Sequence, residues 1–208
     1  MNYRTLGVTG LQVSEIGLGA YPISSMWQRA DGSMFGWTGT DDRESIELIH
    51  RSQDLGINLL DTAEIYGDGH SECLIGKALA DRRDRWVIAT KVQPNRGVDA
   101  DSHDEEAVRR RITEACEASL RRMQIECIDV YQLHAVPHPW AMPTVFETLA
   151  QLRQAGKVHC LRRQYPLQAL GMTSTRLSRV RMCVSRDPIS STQPQSSASI
   201  LSICTASP

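Results

Sequence analysis

The sequence has no apolar run long enough to span a bilayer, and its first residues, MNYRTLGVTG, lack the apolar stretch of a signal peptide. Both absences set the expectation of a soluble, cytoplasmic protein with no membrane partner. There is no C-x-x-C pair either. The six cysteines are scattered at 73, 116, 127, 160, 183 and 204, which suits ordinary thiols in a reducing compartment rather than a disulfide framework or a zinc site. Nor is there an excess of one charge: 23 basic and 24 acidic residues leave a net −1, so nothing global points to nucleic acid or anionic lipid. What is present is 41% hydrophobic residues in 208, enough for a real core in one medium or two small domains.

The first 160 residues alternate regularly. Residues 3–6 and 11–13 flank Gly7-Val8-Thr9-Gly10 and read as a hairpin. Residues 15–19 (EIGLG) are a candidate first strand, followed by a long loop, 20–40, that carries Trp27, Phe35 and Trp37. Asp41-Asp42 can cap a helix that Gly56 ends. The second strand is 57–61, and Ser71 is the expected N-cap of the next helix, 71–80. The third strand, 86–92, precedes a helix that opens on Asp104, Glu105 and Glu106 and carries Arg121-Arg122 near its end, the order a helix dipole favours. The fourth strand is 128–134. Pro143 fits the first turn of the last helix, Gly156 ends it, and 157–161 begins a fifth strand. Alternating β and α of this kind argues for a parallel sheet. Strand starts near 15, 57, 86, 128 and 158 give about 36 residues per unit, whereas a closed eight-unit barrel needs about 250 residues in all.

The pattern fails after residue 161. Arg162 and Arg163 fall where buried apolar residues are expected. Residues 159–208 hold six arginines against one acid, Asp187, together with ten serines, and only one glycine and one aromatic, Tyr165. The expectation is a partial barrel over 1–160 and a poorly ordered Arg/Ser-rich tail over 161–208. The tail's arginines have no interleaved aromatics, so a solvated segment accounts for them better than a nucleic-acid site.

Chemistry concentrates on residues 58–72, NLLDTAEIYGDGHSE. Asp61 closes the second strand and Tyr66 lies in the loop after it. Lys91 ends the third strand and His134 the fourth. In parallel β/α folds the C-terminal strand ends ring one mouth. A phenol holds its proton with a pKa of about 10. An ammonium beside it stabilises the phenolate, a carboxylate keeps the ammonium charged and placed, and an imidazole can orient a carbonyl oxygen. Each residue also has a bland reading: a strand-end Asp is usually a cap or ion pair, and a lone Tyr is usually packing. His134 with His138 shares no helical face and has no carboxylate at ligand spacing, so no metal is expected.

The segments GLGAY (17–21), GINLLDTAEIYGDGHSE (56–72), VIATKV (87–92), SLRRMQIECIDVYQLH (119–134) and AGKV (155–158) resemble the aldo-keto reductases in order and register over roughly residues 2–160. The resemblance implies a (β/α)8 TIM barrel, here an incomplete one of four to five βα units with an N-terminal hairpin. It implies NADPH as cofactor, bound without a G-x-G-x-x-G fingerprint, and a small aldehyde or ketone as substrate. By position it makes Tyr66 the proton donor, Lys91 its partner, Asp61 the partner of Lys91 and His134 the carbonyl-orienting group. It places Gly19, Ala20, Tyr21 and Asp61 at the nicotinamide end; the loop with Trp27, Phe35 and Trp37 suits a substrate wall and lid packing equally. The family's fifth strand runs into a Gly-Val-Ser-Asn-like segment, and its later strands supply phosphate-binding residues; neither is recognisable after 161. A truncated or impaired reductase is therefore the expectation, with self-association through open barrel edges. The alternatives are a non-catalytic NADPH-binding regulator resembling potassium-channel β-subunits, or an inactive fragment.

Overall fold

The computed structural model describes residues 1–28 and 32–163. An antiparallel hairpin, β1 (Tyr3–Thr5) and β2 (Gln12–Ser14), comes first. The parallel sheet begins at β3 (Leu18–Gly19) and continues with β6 (Leu59–Asp61), β7 (Val87–Val92), β8 (Ile128–Leu133) and β9 (Val158–Arg163), neighbours in that order. A two-residue-strand hairpin, β4 (Trp27–Gln28) and β5 (Met34–Phe35), lies within the long loop. Helices α1 (Asp42–Asp54), α2 (His70–Ala78), α3 (Glu105–Met123) and α4 (Met142–Gln154) occupy the crossovers. Among the described residues this is an α/β fold with a five-stranded all-parallel sheet.

The local signals act as their chemistry requires. Asp41 accepts from Glu44 N and Asp104 from Ala107 N, each satisfying one orphan donor of its helix. Acids then fill the first turn of α3 and Arg121 and Arg122 its last. Gly76 shows how closely α2 and α3 pack: a Cβ there would lie 2.6 Å from the Arg122 carbonyl oxygen and 2.9 Å from Met123 Cα.

The strand residues sort by face. Leu60, Ile88, Val92, Tyr131, Leu133 and Leu161 join Ile49, Ile75, Ile112, Val145 and Leu149 in the core between sheet and helices. The other face is layered. Leu59, Val87, Ala89, Val130 and Cys160 form a smaller core with Val13, and Leu6 and Leu11 of the hairpin pack on it. Towards the C-terminal strand ends this face turns polar: Asp61 of β6 shares the register row of Ala89 and Val130, and the next row on the same face holds Lys91 and Gln132.

Three expectations are corrected. Ser71 is not an N-cap. Gly69 occupies that position, and Ser71 is buried inside α2, where its hydroxyl donates to Ala20 O at 3.1 Å and contacts Thr62 Oγ1 at 3.0 Å. The fifth strand is not interrupted at Arg162. β9 runs on through Arg163, with Arg162 in register with Gln132 and therefore on the face away from the helices, its own side chain exposed. The loop 20–40 contains the β4–β5 hairpin and a 3-10 turn, Pro22–Ser24. Of the tail assigned to 161–208, residues 164–208 lie outside the described residues, and the boundary drawn at 160 falls within β9.

Candidate active site

The site is assembled where β3, β6, β7 and β8 end. Asp61 is the last residue of β6 and pairs in register with Gly19 and with Ala89. Lys91 lies on β7 one layer further, in register with Gln132 of β8. His134 follows β8 directly and its N–H donates to Val92 O at 2.8 Å, so the backbone that carries it is still in the ladder. After Asp61 the chain leaves the sheet, and Tyr66 opens a tight turn, Tyr66–Gly69. That turn demands glycine at 67: its φ is +61°, and a Cβ would lie 2.1 Å from the Ser24 carbonyl oxygen.

All four predicted residues meet. Lys91 is only 4% exposed. Its Nζ donates to Asp61 Oδ2 at 2.6 Å, to the Thr62 carbonyl oxygen at 2.8 Å and to the Tyr66 hydroxyl at 3.4 Å. It also sits 5.1 Å from the Tyr66 ring centroid. The 3.4 Å contact is long for a hydrogen bond. The second oxygen of Asp61 accepts from Gln132 Nε2 at 3.3 Å. The His134 ring meets Tyr66 edge-on, centroids 5.7 Å apart. Burial, followed by the positive charge of Lys91, holds the His134 imidazole below its ordinary pKa, with Asp61 opposing. Its neutral form is thereby favoured, which can both donate and accept one hydrogen bond.

The residues expected at the cofactor end adjoin this cluster. Gly19 is the register partner of Asp61, Ala20 N donates to Asp61 O at 2.8 Å, and the Tyr21 ring lies 5.0 Å from that of Tyr66. Tyr21 also touches Phe35 and Trp37, at 5.8 and 6.3 Å between centroids, so the β4–β5 segment forms an aromatic rim beside Tyr66. Trp27 meets that rim at Phe35, ring centroids 6.0 Å apart. His138 stacks on Trp140, rings 5.9 Å apart.

Sequence reasoning missed the supports. Thr62 and Gln132 complete the shells of Lys91 and Asp61. Gln132 left a readable trace, a polar residue two after Val130 on the same face of a strand. Two buried carboxylates also went unread. Glu64 accepts from Gln93 N at 2.7 Å and is paired with Arg111; Glu72 accepts from Thr90 Oγ1 at 2.6 Å and from Arg122 Nε at 2.7 Å. Breaking a buried pair of this kind costs about 3–5 kcal/mol. An exposed pair such as Arg43–Glu47, 3.8 Å apart, contributes about 0–1 kcal/mol.

Comparison with known proteins converges on one family. The model of the Aldo/keto reductase family matches residues 15–198. The aldo-keto reductase YhdN of Bacillus subtilis is 38% identical over 170 residues, 77% of this chain and 46% of the relative. A Schizosaccharomyces pombe protein described as a candidate voltage-gated potassium channel subunit beta is 34% identical over 158 residues, 74% of this chain and 42% of its own. Among solved structures, an aldo-keto reductase from Klebsiella pneumoniae in complex with NADPH matches with a TM-score of 0.59 and 28% identity, covering 78% of this chain and 50% of that one. The chain thus spans about half the length of the relatives it matches.

Proposed function

The chain belongs to the aldo/keto reductase family, an oxidoreductase family, and from that premise we propose that its mouth reduces a small aldehyde or ketone with NADPH, Tyr66 delivering the proton. The observation that carries the reading is the Lys91 ammonium, held by Asp61 at 2.6 Å while facing the Tyr66 hydroxyl at 3.4 Å, with the His134 ring against the same phenol.

The residues present suit the nicotinamide end of such a cofactor. Gly19 and Ala20 add almost no side-chain bulk beside Asp61, and the neighbouring groups are those that protonate a carbonyl oxygen. When bound, NADPH supplies the hydride to the carbonyl carbon. Tyr66 donates its hydroxyl proton to the carbonyl oxygen, giving the alcohol, and is reprotonated from water. Lys91 stabilises the phenolate left behind, because its positive charge sits against the ring and its hydroxyl. Asp61 fixes the ammonium, and Gln132 fixes Asp61. His134, favoured as the neutral imidazole, donates a hydrogen bond that orients the carbonyl oxygen. Tyr21, Phe35 and Trp37 form an aromatic wall for the organic part of the substrate.

A second reading is a regulator that binds NADPH without turnover. It is favoured by the 34% identity to the protein described as a candidate channel β subunit. Titration of the purified chain with NADPH, followed by aldehyde-dependent loss of nicotinamide absorbance, separates the two. Binding with turnover that Tyr66→Phe abolishes supports the reductase. Binding without turnover supports the regulator. No binding sinks both and leaves an impaired fragment of the family.

A further inference from the structure

Two carboxylates flank Tyr66 in sequence, Glu64 two residues before it and Glu72 six residues after. Both are buried, Glu64 at 6% exposure and Glu72 at 0%. Each is met by an arginine of α3, Glu64 by Arg111 and Glu72 by Arg122. Arg111 and Arg122 are eleven residues apart, about three helical turns, so both leave α3 on one side.

The two pairs do different work. Glu72 lies within α2 and takes Thr90 Oγ1, so it fastens helix to strand. Glu64 sits where the chain leaves β6, and its contacts bracket Lys91. Its N–H donates to Lys91 O at 3.2 Å, and its Oε1 accepts from Gln93 N at 2.7 Å. Just before, Thr62 N donates to Ala89 O at 2.8 Å. The ladder between this segment and β7 therefore continues beyond Asp61, and its last rung is a side-chain oxygen instead of a carbonyl. That substitution lets the backbone turn away while staying tied to the strand that bears Lys91. Tyr66 N then bonds back to Ala63 O at 3.0 Å, so the tyrosine's turn is built directly on the segment that Glu64 anchors.

We infer that Glu64, keyed by Arg111, is a positioning residue that sets the Tyr66 hydroxyl against the Lys91 ammonium. This rests on the reading of those two groups as the proton-delivery pair. Glu64 acts through the register between the Tyr66 segment and β7. Glu72, equally buried and equally paired, contributes stability but does not set that register.

The test reads the geometry without cofactor or turnover. In the full chain, the nuclear Overhauser contact between the Tyr66 ring protons and the Lys91 ε-methylene protons is measured in wild type, E64A and E72Q, with Y66F for assignment. The expected result is that both E64A and E72Q lower Tm, while only E64A loses the contact. If E64A does not fold, E64Q is read in its place: it can still accept from Gln93 N but no longer neutralises Arg111, and the contact weakens. A folded E64A, or E64Q where E64A fails, that keeps the full contact overturns the inference. So does E72Q losing the contact as completely as E64A. Wild type with the contact intact and no aldehyde turnover sinks the proton-delivery reading and leaves this geometric one standing.

Discussion

The two faces of the parallel sheet are built by the same strands to opposite ends. On the helix side, Leu60, Ile88, Tyr131 and Leu161 are sealed under α2, α3 and α4, and identity matters through volume and fit. On the other side a thin apolar layer under the N-terminal hairpin gives way towards the C-terminal strand ends, first to Asp61 in the row of Ala89 and Val130 and then to Lys91 and Gln132 in the next. Alternation along a strand therefore does two jobs here. One parity secures the position of the backbone; the other spends that security on holding charged groups close together.

The sharpest break between the faces comes from function. Tyr66→Phe removes the hydroxyl while keeping the ring's contacts with Tyr21 and His134. Turnover in the aldehyde assay is expected to fall about 10²–10⁴-fold, the usual contribution of a positioned general acid, with Tm close to wild type. A comparable loss of Tm would show that the phenol is a packing group. The helix face gives the converse. Ile88→Ala, at a site with 0% exposure, is expected to cost about 2–5 kcal/mol in urea unfolding, with aldehyde KM unchanged in the fraction that remains folded.

The smallest effect sharpens the comparison through pH. The folded His134 pKa is depressed, so the unfolded chain takes up this proton first as acid is added. Its contribution to stability is full above about pH 6.5, the ordinary histidine value, and is lost as pH falls through the folded value. Urea midpoints at pH 7.5 and 5.5 should therefore fall less steeply with acid for His134→Gln than for wild type. An equal slope would mean that the imidazole is indifferent to its surroundings.

Much of the fold was legible because each signal acted locally. Asp41 and Asp104 cap the helices they precede, and the strand ends bearing Asp61, Lys91 and His134 fall where the apolar runs stop. The failures came where position in the sheet overrides local preference. Ser71 has the chemistry of a cap, but Gly69 supplies the turn and the serine is drawn inward to bridge Ala20 and Thr62. Arg162 looked like a strand breaker because burial was assumed for every residue of β9; its side chain lies on the face away from the helices and is exposed, and a long cation is tolerated there. The Glu64–Arg111 tie joins residues 47 apart, and no pattern within either segment announces it.

The crowding around Lys91 has a practical consequence. An ammonium has three N–H bonds, and three oxygens surround this one: Asp61 Oδ2, the Thr62 carbonyl and the Tyr66 hydroxyl. The chain has just two other lysines, the exposed Lys77 and the partly exposed Lys157. Amine-directed dyes, biotin esters and coupling to activated resins will therefore attach at those two and at the terminal amine, leaving the mouth chemically untouched on a chain tethered to a surface.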